Sequence, residues 1–114
     1  MNLQFTITDQ GAGIVAIDGG LNAAHVDSFR DQCSRWLAEN AGVSLIVLDL
    51  GAVDFIDSAG LGVLIAILKR VSERGGDIRL ARLQKQARIV FEITRAHKIF
   101  DIFDSVEDAL QAKS

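Results

Sequence analysis

The sequence predicts one α/β layered domain, a mixed sheet of four to five strands flanked by about four helices, and three observations predict it. Segments with strand periodicity alternate with segments of helical periodicity, the pattern of packed sheet and helix layers. One apolar run, Val43–Leu50, is nearly continuous, as suits a strand covered on both faces or flanked by a parallel neighbour. The chain has 114 residues, enough for one compact core that buries about two-thirds of the surface the unfolded chain exposes. No linker, repeat or low-complexity segment interrupts it, so residues 1–114 are expected to form one domain.

The elements follow in order. Leu3-Gln-Phe-Thr-Ile7 alternates apolar and polar residues with period two, as a half-buried strand does. Gly11-Ala-Gly13 supplies a turn and Ile14-Val-Ala-Ile17 a second strand, so a hairpin is expected, ended by Gly19-Gly20. Asn22 is a good N-cap for the next helix, where Val26, Phe29, Cys33, Trp36 and Leu37 recur at helical spacing. That helix should stop near Asn40-Ala-Gly42. The strand Val43–Leu50 comes next, then a connector over Gly51–Asp57 and a strongly apolar helix from Ser58 to Arg74. Lys69, Arg70 and Arg74 complement that helix's C-terminal dipole, and Gly75-Gly76 can close it.

A further strand is predicted over Asp77–Leu83 and a helix over Lys85–Arg95. In that helix Ala87, Val90, Phe91 and Thr94 form one stripe, while Ile89 and Ile93 lie on another face. Ile99–Phe103 reads as a short last strand. Ser105-Val-Glu-Asp108 resembles a capping box with Asp in place of Glu, opening a terminal helix through Gln111.

Composition excludes several classes. The chain is 49% hydrophobic and 24% charged, which argues against disorder. A single Cys leaves no internal disulfide and no zinc site built from Cys pairs. The start lacks a basic segment followed by an apolar stretch, so no secretory signal is expected, and no apolar run reaches the ~20 residues that span a bilayer. A cytoplasmic location without membrane contact follows as the expectation. The net charge of −3 hides an asymmetry: residues 1–68 carry a balance of −6, residues 69–114 one of +3. The cations between Lys69 and Lys98 could form a binding surface, but no aromatic residues interleave with them as in a nucleic-acid stacking platform. A solvated charged face accounts for them, and no direct nucleic-acid binding is expected.

The richest candidate site is Asp54-Phe-Ile-Asp-Ser-Ala-Gly-Leu-Gly62, which follows the apolar strand and opens the apolar helix. Asp57 or Ser58 can accept from the free N–H groups of the first turn. Gly60 and Gly62 allow close approach of sheet, partner or phosphate, and the place outside a strand's carboxyl end is where ligands bind in open α/β sheets. A phosphate on Ser58 would meet the positive end of the helix dipole yet lie beside Asp57 and Asp54. A plain helix cap with packing glycines explains the same residues. A nucleophile elbow fits worse, because Ile56 stands where Gly belongs and only His97 lies downstream to complete a triad. Gly60-Leu-Gly62 lacks the third glycine of a dinucleotide fingerprint. His25 reads as a surface residue and His97 as a helix-end residue; neither has a partner at metal-ligand spacing. Cys33 and Trp36 read as core or its rim.

Taken together, Gly20-Leu-Asn-Ala23, Leu45-Ile-Val-Leu-Asp-Leu50 and Phe55-Ile-Asp-Ser-Ala-Gly-Leu-Gly62 resemble a STAS domain, more narrowly the bacterial anti-sigma factor antagonists. The resemblance extends over Lys85–Arg95, Lys98–Phe103 and Val106–Leu110. It implies a partner-switching protein without catalysis or cofactor of its own. The serine matching Ser58 would be phosphorylated by an anti-sigma factor that is also a serine protein kinase, and restored by a serine phosphatase. The partner-binding face it implies comprises Asn22, Asp54, Asp57, Ser58, Ala59, Gly60, Leu61 and Gly62; the oligomeric state, monomer or weak dimer, is left open by the sequence. Asn22 departs from the family pattern, which commonly has Asp there; the capping role is kept and one charge is lost. The alternative is a STAS scaffold or small-ligand sensor in a larger assembly, with Ile89 and Ile93 as a second contact face.

Overall fold

The computed structural model describes residues 2–113. Its first strand, β1 (Asn2–Ile7), pairs antiparallel with β2 (Gly13–Asp18), so the predicted hairpin forms. Each later strand is reached through a helix: α1 (Val26–Glu39) leads to β3 (Leu45–Ala52), and α2 (Ser58–Glu73) to β4 (Asp77–Ala81). Helix α3 (Lys85–Ile93) and a 3-10 turn (Ala96–Lys98) lead to β5 (Asp101–Phe103), and α4 (Val106–Gln111) closes the chain. The sheet order is β1-β2-β3-β4-β5, with β2 to β5 parallel.

Parallel crossovers are right-handed, and here every crossover steps in the same direction across the sheet. The crossover helices therefore fall on one face. Phe29, Cys33 and Leu37 of α1, Leu64 and Ile67 of α2 and Phe91 of α3 join one core with Val15, Ile17, Ile46, Leu48, Leu50 and Leu80. Each large side chain buried there contributes ~1.5–3 kcal/mol. Strand alternation sends Val47 to the opposite face, where it packs with Ala81 and Ala109 under α4. This is why the β3 sequence is apolar at consecutive positions. Trp36 stacks on Phe5 at the core's rim, and burial pushes the Cys33 thiol up to about 12.

Several boundaries differ from the sequence expectation, each for a local reason. Helix α1 begins at Val26, not directly after Asn22. Asn22 instead organises a preceding turn: its side-chain oxygen accepts from the Ala24 amide at 2.9 Å and its carbonyl from the amides of His25 and Val26. β3 lies two residues later than Val43–Leu50, because the Val43 amide closes a turn onto the Asn40 carbonyl while Ala52 pairs with Asp18. β4 stops at Ala81 and α3 at Ile93 because Arg82 and Arg95 turn left-handed, with φ of 63° and 62°. The last strand shrinks to Asp101–Phe103, since Ala96–Phe100 is occupied by the 3-10 turn and its exit. Arg74 does not serve its own helix. Its guanidinium donates to the carbonyls of Leu37, Asn40 and Val43, clamping the end of α1. Ser105 does cap α4, accepting from the Asp108 amide at 3.0 Å.

Candidate functional site

The carboxyl ends of β2 and β3 each run into a turn, and the two turns are zipped together. The Leu21 amide donates to the Phe55 carbonyl at 2.9 Å, and the Asp57 amide to the Leu21 carbonyl at 3.3 Å. Leu21 and Ile56 thus form an isolated parallel bridge, both fully buried. Gly60, in the first turn of α2, packs directly on this bridge. A Cβ there would collide with the Leu21 carbonyl oxygen, so the close approach requires glycine.

Asp57 completes the junction. Its extended backbone (φ −103°, ψ −175°) sets it outside the helix as the N-cap, with one carboxylate oxygen accepting from the Gly60 amide at 2.9 Å. The other oxygen accepts from the Ala23 amide at 3.1 Å, across the gap between the two turns. These bonds favour the ionised form, the Gly60 amide most. They hold the carboxyl below the usual carboxylate range against an opposing desolvation.

Ser58 is the first residue of α2 and is exposed. Asp54 is exposed on the same rim, beside the Gly20 turn. Asn22, half-buried, sits across from both. The structure therefore brings Asn22, Asp54, Asp57 and Ser58 to one end of the sheet, with Ala59 half-buried and Gly62 exposed along α2. Gly60 and Leu61 are placed differently: both are buried, Leu61 at 6% exposure within the core. They seat the site and present no side chain to its surface.

Two contacts escape the sequence reading. The His25 ring lies 2.7 Å from the Gly20 carbonyl through Nδ1, which must carry the proton because a carbonyl only accepts. His25 thus pins the Asn22 turn instead of standing free on the surface. The Gln86 side chain brackets Ile56: its Oε1 accepts from the Ile56 amide at 3.0 Å and its Nε2 donates to the Ile56 carbonyl at 3.3 Å. No local signal marks Gln86, because its partner is 30 residues away. His97, as its position near a helix end suggests, approaches the Phe91 carbonyl at 3.2 Å through Nδ1.

Chemically, this end offers the exposed Ser58 hydroxyl at the positive pole of a 16-residue helix, next to the Asp57 carboxylate and on the same rim as Asp54. Among the described residues no cluster of three or more His, Cys, Asp or Glu is arranged for a metal ion. Among them, too, no helix is long and apolar enough to cross a membrane.

Residues 6–109 match the STAS domain family. BtrV of Bordetella bronchiseptica, provisionally named an anti-sigma factor antagonist, is 32% identical over 102 residues, covering 90% of this chain and 86% of its own length. The anti-sigma F factor antagonist of Paenibacillus polymyxa is 29% identical over 111 residues, covering 96% and 94%. Among solved structures, Thermotoga maritima TM1081 superposes with a TM-score of 0.83 at 27% identity, covering 96% of this chain and 92% of its own. SpoIIAA of Bacillus in its phosphorylated form superposes at 0.72 with 18% identity, covering 96% of each chain, a likeness of fold.

Proposed function

The chain belongs to the STAS domain family, and from that premise we propose that it is an anti-sigma factor antagonist switched by phosphorylation of Ser58. The observation that carries this reading is the Ser58 hydroxyl, exposed at the head of α2 on a junction braced by Asp57, Leu21 and Gln86. A relative over nearly the whole length is named an anti-sigma F factor antagonist. A Bacillus protein of the same fold, SpoIIAA, has been solved both unphosphorylated and phosphorylated.

In this reading the unphosphorylated chain binds an anti-sigma factor through the Asn22 turn, the Asp54–Ser58 loop and the exposed side of α2, and so frees the sigma factor. The anti-sigma factor is also the serine kinase. The Ser58 Oγ attacks the γ-phosphorus of the ATP held by the kinase, the new O–P bond forms as the bond to ADP breaks, and the hydroxyl proton passes to a general base of the kinase. Phosphoserine adds about −1.5 to −2 charges. The helix pole relieves part of this, but the Gly60 amide is already engaged by Asp57. The added charge also stands beside Asp57 and Asp54. Much of it is therefore directed at the partner, and a loss of about 3 kcal/mol weakens binding more than a hundredfold. A serine phosphatase resets the switch. The chain contributes no catalytic group of its own, and Asn22, neutral where the family commonly has Asp, tunes which kinase is recognised.

Calorimetric titration of the cognate kinase tests this. Ser58→Asp should bind more than a hundredfold more weakly than wild type. Ser58→Ala should bind normally yet persist in complex when ATP is added. Equal binding of wild type and Ser58→Asp would end the switch reading.

A further inference from the structure

Helix α3 buries Ala87 and Phe91 against the sheet and turns Ile89 and Ile93 outward, at 47% and 76% exposure. At 100° per residue, both isoleucines lie within about 60° of Gln86 around the helix. Gln86 is the residue bonded to Ile56, and Phe55, the residue before it in that loop, is itself 45% exposed. The apolar outer side of α3 therefore continues from the loop that carries Ser58. Its rim is cationic: Lys85, Arg95 and Lys98 form no ion pair among the described residues, whereas Arg88 is taken by Asp104.

Resting on the reading of the Ser58 face as a partner interface, we propose that α3 is a second docking element for that same protein partner, which meets it with an apolar surface edged by carboxylates. Three cations that form no ion pair among the described residues, on α3 and the turn after it, call for such a complement beside the exposed isoleucines. Glu92 shares the outer side of α3, and a protein surface can set a cation against it as well as carboxylates against Lys85, Arg95 and Lys98, a mixed pattern that a uniformly anionic bilayer does not match. A second copy docked two-fold through the same face would set Lys85, Arg95 and Lys98 against the same cations of its partner. The Gln86 bracket gives the surface its purpose: a partner seated on α3 bears on the Ile56 backbone, two residues before the phosphorylation site.

Photo-crosslinking in the cells that make the protein tests this, with the crosslinking residue placed at Asn22, at Ile93, or at Gln10 on the far end of the sheet. The same protein should be captured from Asn22 and Ile93, not from Gln10, and Ser58→Asp should abolish both products. With that protein purified, Ile89→Ser/Ile93→Ser should weaken its binding about tenfold or more while leaving the unfolding temperature unchanged. Capture from Asn22 with nothing, or a different protein, from Ile93 would overturn the second docking element and leave the Ser58 reading intact. Absence of capture from Asn22 would bring down the Ser58 reading and this one with it. A product joining Ile93 to a second copy would overturn the proposal. So would Ile93-dependent sedimentation with phosphatidylglycerol vesicles.

Discussion

Asp57 supplies the charge that holds the site together, since each of its carboxylate oxygens serves a different turn. The folded state lowers its pKa, so its contribution is complete above the ordinary Asp value of about 3.9 and is lost as pH falls through the lowered value. In urea unfolding, wild type should therefore be more stable than Asp57→Asn at neutral pH, with the gap closing in strong acid. A gap that persists in acid would mean the carboxylate's charge is not what braces the turns. Arg74 plays the corresponding part at the other end of the sheet. Replacing it by Ala strands three carbonyls at the end of α1, a loss of about 2–3 kcal/mol readable from the denaturation midpoint. Neither role follows from a residue's neighbours in the chain: the sequence marks Asp57 as a cap and Arg74 as a helix-end cation. Their second partners lie 34 residues away for Asp57 and 31 to 37 for Arg74.

Among the elements, α2 is legible in the sequence and α1 is only partly so. The start of α2 follows a nearly continuous apolar strand after a short connector and carries its cap immediately before the first turn, so strand, cap and helix are signals close together in the chain. The start of α1 is preceded by a turn whose Asn22 bonds imitate a cap, and the two cannot be told apart by spacing. The ends of β4 and α3 are hidden for a different reason: arginines, ordinary helix and strand residues, adopt left-handed backbone there. The exposed face of α3, by contrast, is plain from the separation of Ile89 and Ile93 from the Ala87–Phe91 stripe. The link between α3 and the site can be broken selectively. Gln86→Leu should leave the fold intact yet speed exchange of the Ile56 amide at least severalfold, because each bond contributes ~0.5–1.5 kcal/mol. Unchanged exchange would show that the bracket is not formed in solution. Gly60→Ala should be more severe, costing about 1–3 kcal/mol as the new methyl drives against the Leu21 carbonyl.

Across the whole molecule, the topology gathers the chemistry at one end. Three crossovers stepping in one direction place α1, α2 and α3 on one face, and the turns leaving β2 and β3 meet at the carboxyl ends of the strands. The charge asymmetry of the sequence acquires a geography: Asp54 and Asp57 share one end of the sheet with Ser58, while Lys85, Arg95 and Lys98 lie on α3 and the turn after it. A phosphate at Ser58 would enlarge the acidic pole and leave the basic one unchanged. The proposed partner switch turns on that one modification. Incubating the purified chain with its cognate anti-sigma factor kinase and ATP, mapping the phosphate by mass spectrometry and titrating the product against the same kinase tests it most directly. A single phosphate on Ser58 and affinity reduced more than a hundredfold is the predicted result. A phosphate on another residue, or a Ser58-phosphorylated chain that binds as tightly as before, would contradict it.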